Sequence, residues 1–433
     1  MSETAKAGRQ VHDGHPKTVT VFGAVALYVA SVLGGGILVL PGLTAAAAGA
    51  GALIAWVAVS IICLPIALMF GQLSAAIPDA GGASTFVRQA LGDVSADLTG
   101  WLYFWVIPFG QPAVMLSGLF YARYALGLSH TLTFALAWVI LVGAGLLNIS
   151  GTRVSAKVQS VVTGSIIFLL LGTIAVSIPH MSRAGFDPVL PHGWSAVGSA
   201  AALIMWAYVG WENVSSIAEE FHNPRRDFVV SVVLSMIVIG GLYAGVTAVV
   251  LGVLPQGSSD SGTAPLAAVL SISLGSWASW IAALVAVLIV LGSATAIIWG
   301  TSSLGASLAR TGSLPTKLAE RNSRGSFQRS VLLLLTCYTV VLIVMYFDRV
   351  SIEDAAKIVG GSAVVTYGLC AIAYIRLVKP KRVATWVPPL VTGAFVAVVL
   401  PFFGWTLLVQ LAIVMAYLLL RAVRKKGRPD PRP

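Results

Sequence analysis

The stretch SVLGGGILVLPG, Ser31 to Gly42, sets three consecutive glycines inside an apolar run long enough to cross a bilayer. Each glycine costs a helix roughly 1 kcal/mol relative to alanine, and backbone groups opened at membrane depth are tolerated only where they line a cavity or are buried in protein. The run therefore reads as a helix broken around a ligand. Close packing of small residues between membrane helices is the competing reading, but such motifs space their glycines a turn apart. A second interruption, WAYVGWEN from Trp206 to Asn213, lies near the middle of the chain. Paired interruptions in corresponding positions of two halves point to a transporter's binding site.

Composition sets the compartment. With 57% hydrophobic and 10% charged residues and a mean hydropathy of +0.90, the 433 residues lie far outside the range of a soluble globular domain. An all-α integral membrane protein is expected, with about twelve transmembrane helices when apolar runs of about 20 residues are read as spans. The first runs from Val19 to Ala48, the sixth from Ala196 to Ala218, and the last two from Thr385 to Phe403 and Gly404 to Ala422. The expected organisation is a polar cytoplasmic tail at 1–17, a transport core at 18–378, two appended helices at 379–424 and a basic cytoplasmic tail at 425–433. Within the core, a Gly-broken span opens each set of five, near Val19 and near Ala196, a weak internal symmetry. The segment GGASTFVRQALG, Gly81 to Gly92, is too polar to cross and reads as a short interfacial helix.

The leader Met1 to Lys17 has no apolar core, so no cleaved signal is expected. Lysine and arginine are retained on the cytoplasmic side. A cytoplasmic N-terminus puts every one of the 27 cations inside except Arg123, Arg183, Arg349 and Lys357. The reading is a multi-pass plasma-membrane protein with both termini in the cytoplasm. The same asymmetry accounts for the net charge of +11 without a nucleic-acid partner, and the tail RAVRKKGRPDPRP suits anionic headgroups. Cys63, Cys337 and Cys370 share no metal or disulfide spacing, and the six histidines lie in loops or the tail. No metal site is expected. A channel would show charged rings and an enzyme a cluster of nucleophile, base or metal ligands; neither pattern is present.

The ordered set of the broken first span with Pro41-Gly42, IPDAGGASTFVRQALG, GWLYFWVIP, WAYVGWENVSSIAEEFHNPRRD and SLARTGSLP resembles the amino acid/polyamine/organocation (APC) transporter superfamily. Within it, VIPFGQPA and GWENVSSIAEEFHNPRRDF are similar to the bacterial exporters of methionine and branched-chain amino acids. The resemblance implies the leucine-transporter-type fold: a 5+5 inverted repeat with helices one and six broken around a central site, working by alternating access.

Residue chemistry supports a zwitterionic substrate at such a site. A break at Gly34-Gly35-Gly36 makes a new helix N-terminus near Ile37, whose free N–H groups and positive dipole end suit a carboxylate. Carbonyls released at Val32 and Leu33, and near Ala207 and Tyr208, suit an ammonium, and Ser31 and Gly210 are further substrate-binding candidates. Of Trp206, Tyr208 and Trp211, a helix points different members to different faces, so one or two line the pocket. Gln111, a lone polar residue between Pro108 and Pro112, reads equally as a substrate contact or as a packing residue, and Ser293 is a further pocket candidate.

Coupling is open between protons and sodium, and no cofactor is implied. Glu212 sits mid-span, and an ionisable residue there is a functional hypothesis by default. It has three readings: a partner for unwound backbone N–H groups, a proton carrier, or a substrate contact. In many proton-coupled members of the superfamily a lysine follows the fifth-helix VQ pair; here VQSVVTGSII, Val158 to Ile167, has none. Thr301 and Ser302 are candidates for coordinating sodium, although hydroxyls in membrane helices mostly bond their own backbone. The expected substrates are neutral amino acids, methionine, leucine, isoleucine and valine, moved outward by a monomer or homodimer. Import, exchange, or carriage of small amines or organic cations is the alternative.

Overall fold

The computed structural model describes residues 20–77, 82–151, 156–210, 224–254 and 262–426. All regular structure among them is helical. Nine helical stretches are long and apolar enough to cross a membrane among the described residues. The difference from about twelve has local causes. The first apolar run is divided into α1 (Val21–Val32), a short 3-10 turn at Gly35–Leu38 and α2 (Leu40–Ala48), none of spanning length. The sixth run is described only as α8 (Gly193–Ala207) and the turn after it. The last two runs form one stretch, Val383–Val423, bent at Gly404, whose φ of 56° only glycine adopts without strain.

Between these lie α3 (Gly51–Ala76), α4 (Gly82–Leu91), α5 (Asp93–Leu126), α6 (His130–Ile149) and α7 (Ala156–Ser177). After α8 come α9 (Pro224–Val253), α10 (Pro265–Leu274), α11 (Ala278–Arg310), α12 (Gln328–Tyr346), α13 (Ile352–Val378), α14 (Val383–Val399) and α15 (Leu407–Lys426). The α4 segment is helical where the sequence predicts it, with Ala83, Phe86 and Val87 buried. The ten-residue α10 was not expected: it is shorter than a span and follows the polar stretch QGSSDSGT.

Burial ranks the helices. About three quarters of the most apolar window is buried in α5 (78%) and α13 (72%), against 22% in Val383–Val423, so α5 and α13 are central and the last pair is peripheral. Small residues allow the central contacts to be close. A β-carbon on Gly118 of α5 would meet the Ala286 carbonyl of α11 at 2.9 Å, and one on Gly110 would meet Val359 of α13 at 2.9 Å.

Candidate functional site

At the first break the chain leaves the helix at Leu33, whose N–H still reaches the Val29 carbonyl at 2.8 Å. Gly34 is extended (φ −92°, ψ −165°), and Gly35–Leu38 then form a buried 3-10 turn. The Gly34 N–H turns back onto the Val32 carbonyl at 2.8 Å, and the Ile37 N–H meets the Gly34 carbonyl at 3.3 Å. No partner among the described residues meets the N–H groups of Gly35 and Gly36 or the Leu33 carbonyl. Of the groups expected to be free, the Leu33 carbonyl is bare, while the Ile37 N–H and the Val32 carbonyl are engaged.

The three glycines have different surroundings. A β-carbon on Gly34 would meet nothing within 4 Å; on Gly35 it would lie 2.5 Å from Val114 Cγ1; on Gly36, 3.2 Å from Leu40 Cδ1 and 3.9 Å from Trp206 Cε3. Gly34 borders open space, whereas Gly35 is a close-packing position.

Helix α5 holds the turn in place. Tyr121 Oη donates to the Leu38 carbonyl at 2.6 Å, while Ser117 Oγ donates to its own helix at the Val114 carbonyl, 2.7 Å away, and stands 3.3 Å from the Gly35 carbonyl. The Tyr121 oxygen also accepts the Leu266 N–H at 3.3 Å, tying α10 to the same point. These two residues are spaced i, i+4 on one helical face, which the sequence reading missed. Both are small signals in an apolar helix, and only the fold reveals that the target of Tyr121 is a freed carbonyl.

Gln111 lies one turn before Val114 on this face. It is 1% exposed, and neither its Oε1 nor its Nε2 has a hydrogen-bond partner among the described residues. A buried group left so costs about 1–3 kcal/mol, so each such case calls for an explanation. Both prolines flanking it are accommodated inside a continuous α5.

At the expected second interruption α8 ends at the buried Ala207; Tyr208 is its C-cap, and Gly210 has a φ of 129°. Trp206 packs with Val209 and Phe109 against Val106, Ile358 and Val359. A β-carbon on Gly360 would stand 3.3 Å from both the Ala202 carbonyl and the Trp206 N–H nitrogen. Trp206 is therefore brought to the first break, to α5 and to α13 together. Tyr208 is directed elsewhere. Its hydroxyl is 2.6 Å from Ser60 Oγ, its ring sits beside Trp56 and Tyr243, and its carbonyl accepts from Tyr367 Oη at 3.3 Å. Trp211 and Glu212 lie outside the described residues, as does the side chain of Ser31.

Ser293 Oγ donates to the Val290 carbonyl at 3.1 Å, and Ser302 Oγ to the Trp299 carbonyl at 2.9 Å. Thr301 is buried. Ser302 lines a separate cleft with Arg321 and Arg324, a poor setting for a cation. Among the described residues no group of three or more His, Cys, Asp or Glu is placed to hold a metal.

The sequence model of the family described as Amino acid permease matches residues 19–423. The chain belongs to this amino acid permease family. It is an APC-superfamily transporter of amino acids, not a catalytic enzyme, and a multi-pass membrane protein working on a small-molecule substrate in a lipid bilayer. The permease is similar to the uncharacterized amino acid permease YecA of Bacillus subtilis (strain 168), 32% identical over 413 residues, covering 92% of this chain and 94% of the relative. It is 28% identical over 410 residues to the L-methionine/branched-chain amino acid exporter YjeH of Escherichia coli (strain K12), covering 93% and 95%. It is 27% identical over 382 residues to the branched-chain amino acid permease BcaP of Bacillus subtilis (strain 168), covering 83% and 80%.

Proposed function

We propose that this permease exports methionine, leucine, isoleucine and valine, holding the substrate backbone between the breaks after α1 and α8. The observation that carries the reading is Gln111, buried beside the first break with an unused donor and an unused acceptor. A zwitterion answers both: a carboxylate takes the amide N–H together with the free N–H groups of Gly35 and Gly36, and an ammonium takes Oε1 and the bare Leu33 carbonyl. Trp206, Val114 and Val359 supply apolar surface near it, which suits an aliphatic or thioether side chain.

In this reading the protein has the leucine-transporter-type fold of about twelve helices, with a 5+5 inverted repeat at 18–378, appended helices at 379–424 and cytoplasmic termini. Alternating access moves the repeats around the fixed site. The names of the Escherichia coli exporter and the Bacillus subtilis branched-chain permease support the substrate class. Because the second of these names gives no direction, import or exchange of the same amino acids is the second reading.

Counterflow in proteoliposomes tests it. Vesicles preloaded with unlabelled leucine or methionine should accumulate labelled leucine, whereas preloading with lysine or putrescine should not drive accumulation. Counterflow with putrescine and none with leucine would overturn the substrate assignment. Unchanged intracellular methionine and leucine on deleting the gene under dipeptide feeding would overturn export.

A further inference from the structure

Away from these interruptions, a cleft opens where α6 ends beside the C-terminal half of α11, lined by Trp299, Ser302, Ser303, Arg321, Arg324 and Phe327 among others. Among the described residues no acidic one lines it. The acidic neighbour Glu320 is paired with Arg329, and neither Arg321 nor Arg324 forms an ion pair among the described residues. The cleft is therefore cationic.

Its geometry is fixed in advance. The Arg321 guanidinium lies over the Phe327 ring, 4.4 Å from the centroid, and donates to the Gly325 carbonyl at 2.8 Å. Asn322 pins the loop: its Nδ2 donates to the Ile149 carbonyl at 2.9 Å, and its Oδ1 accepts the N–H groups of Arg324 and Ser326, each at 3.0 Å. Gly151 adds a close backbone approach, since a β-carbon there would stand 3.0 Å from the Arg324 carbonyl oxygen. The hydroxyls of Ser302 and Ser303 both donate to the Trp299 carbonyl at 2.9 Å, which leaves the two guanidiniums as the main free donors.

The outer surface leads to this point. On α11 the exposed apolar residues Leu284, Leu288 and Leu291 lie on one helical stripe, and half-exposed Trp299 continues it to the rim of the cleft. On α6, Leu146 and Leu147 are exposed beside the same end. Two lipid-facing surfaces thus meet at a pair of unpaired arginines, with an aromatic residue where the headgroup layer begins.

We infer that this cleft binds a phosphate-ester anion, the headgroup of an anionic phospholipid whose acyl chains lie along the α11 stripe. Guanidinium groups match phosphate oxygens in forked geometry, and basic pockets between membrane helices are suited to anionic headgroups. Inorganic phosphate offers the same oxygens without the chains.

The test uses the full chain in a neutral detergent and follows its thermal unfolding. Dioleoyl phosphatidylglycerol should raise the unfolding temperature by several degrees more than dioleoyl phosphatidylcholine, and native mass spectrometry should retain the former. Arg321→Gln/Arg324→Gln should abolish that difference. Arg324→Gln alone, which leaves the Arg321 stacking intact, should reduce it and so separates lost binding from a misfolded loop. Equal effects of the two lipids, or a difference that survives in both variants, would overturn the site. The whole increment reproduced by inorganic phosphate at matched concentration would overturn the lipid as its occupant.

Discussion

The Gly35 α-carbon faces the Val114 side chain so closely that a β-carbon there would lie 2.5 Å from Val114 Cγ1. Gly34, its neighbour, faces open space. One position is closely packed and the other, in the proposed site, faces the substrate, so substitutions at the two separate stability from binding.

Gly35→Ala should destabilise the protein by about 1–3 kcal/mol through overpacking. Val114→Ala in the same chain should recover most of the loss, because the two sites are coupled through one contact. Gly34→Ala should leave the unfolding temperature nearly unchanged and weaken leucine binding severalfold. Detergent-solubilised protein followed by thermal unfolding and calorimetric titration checks all three variants. Loss of stability in Gly34→Ala, or none in Gly35→Ala, would reverse the assignment.

Tyr121→Phe removes one hydroxyl that serves both the Leu38 carbonyl and the Leu266 N–H. A buried hydrogen bond contributes about 1 kcal/mol, and more where the abandoned partner stays dry. The turn should loosen, with leucine affinity falling by about tenfold, equivalent to 1.4 kcal/mol, while the protein still reaches the membrane. Wild-type affinity in this variant would show that the turn holds its shape without the tyrosine.

Gln111→Leu gives opposite signs in two assays. It removes a buried, unpartnered amide, so the ligand-free protein should be as stable as wild type or more so. Counterflow of leucine should fall at least tenfold, since the amide's donor and acceptor are both lost to the substrate. Reduced stability with unchanged counterflow would make Gln111 a packing residue.

Glu212→Gln distinguishes the coupling readings. If the residue carries the proton, transport driven by a pH gradient should stop while exchange of substrate for substrate continues, because the amide mimics the protonated acid. If the carboxylate holds unwound backbone, both should weaken together, as the amide presents one oxygen where the carboxylate presents two. Gradient-driven uptake equal to wild type would rule out an essential proton carrier here.

The helix content and the interruption at Gly34-Gly35-Gly36 were legible because glycine triplets and long apolar runs are local, strong signals. Gln111 and Trp206 were legible as candidates, though only the fold brings Trp206 to Gly36 and leaves the Gln111 amide bare. Tyr208 shows the limit. Its place beside the break suggested pocket lining, yet whether a helix-end aromatic turns inward or toward a neighbouring helix depends on distant partners, here Ser60 and Tyr243. Tyr121 and Tyr367 left no trace for the same reason: each matters through a carbonyl that exists as a free acceptor only once a helix elsewhere has ended. The short α10 escaped because ten residues carry too few turns for a periodic signal.

Tyr121 grasps the unwound turn by the Leu38 carbonyl alone. A carbonyl is common to every amino acid, so the clasp takes no account of which side chains the turn carries, provided they fit the space. Substrate preference can therefore drift through substitutions in and around the turn while the clasp stays fixed. Relatives that divide the same chemistry among different cargoes would then differ in what surrounds the turn more than in how it is held.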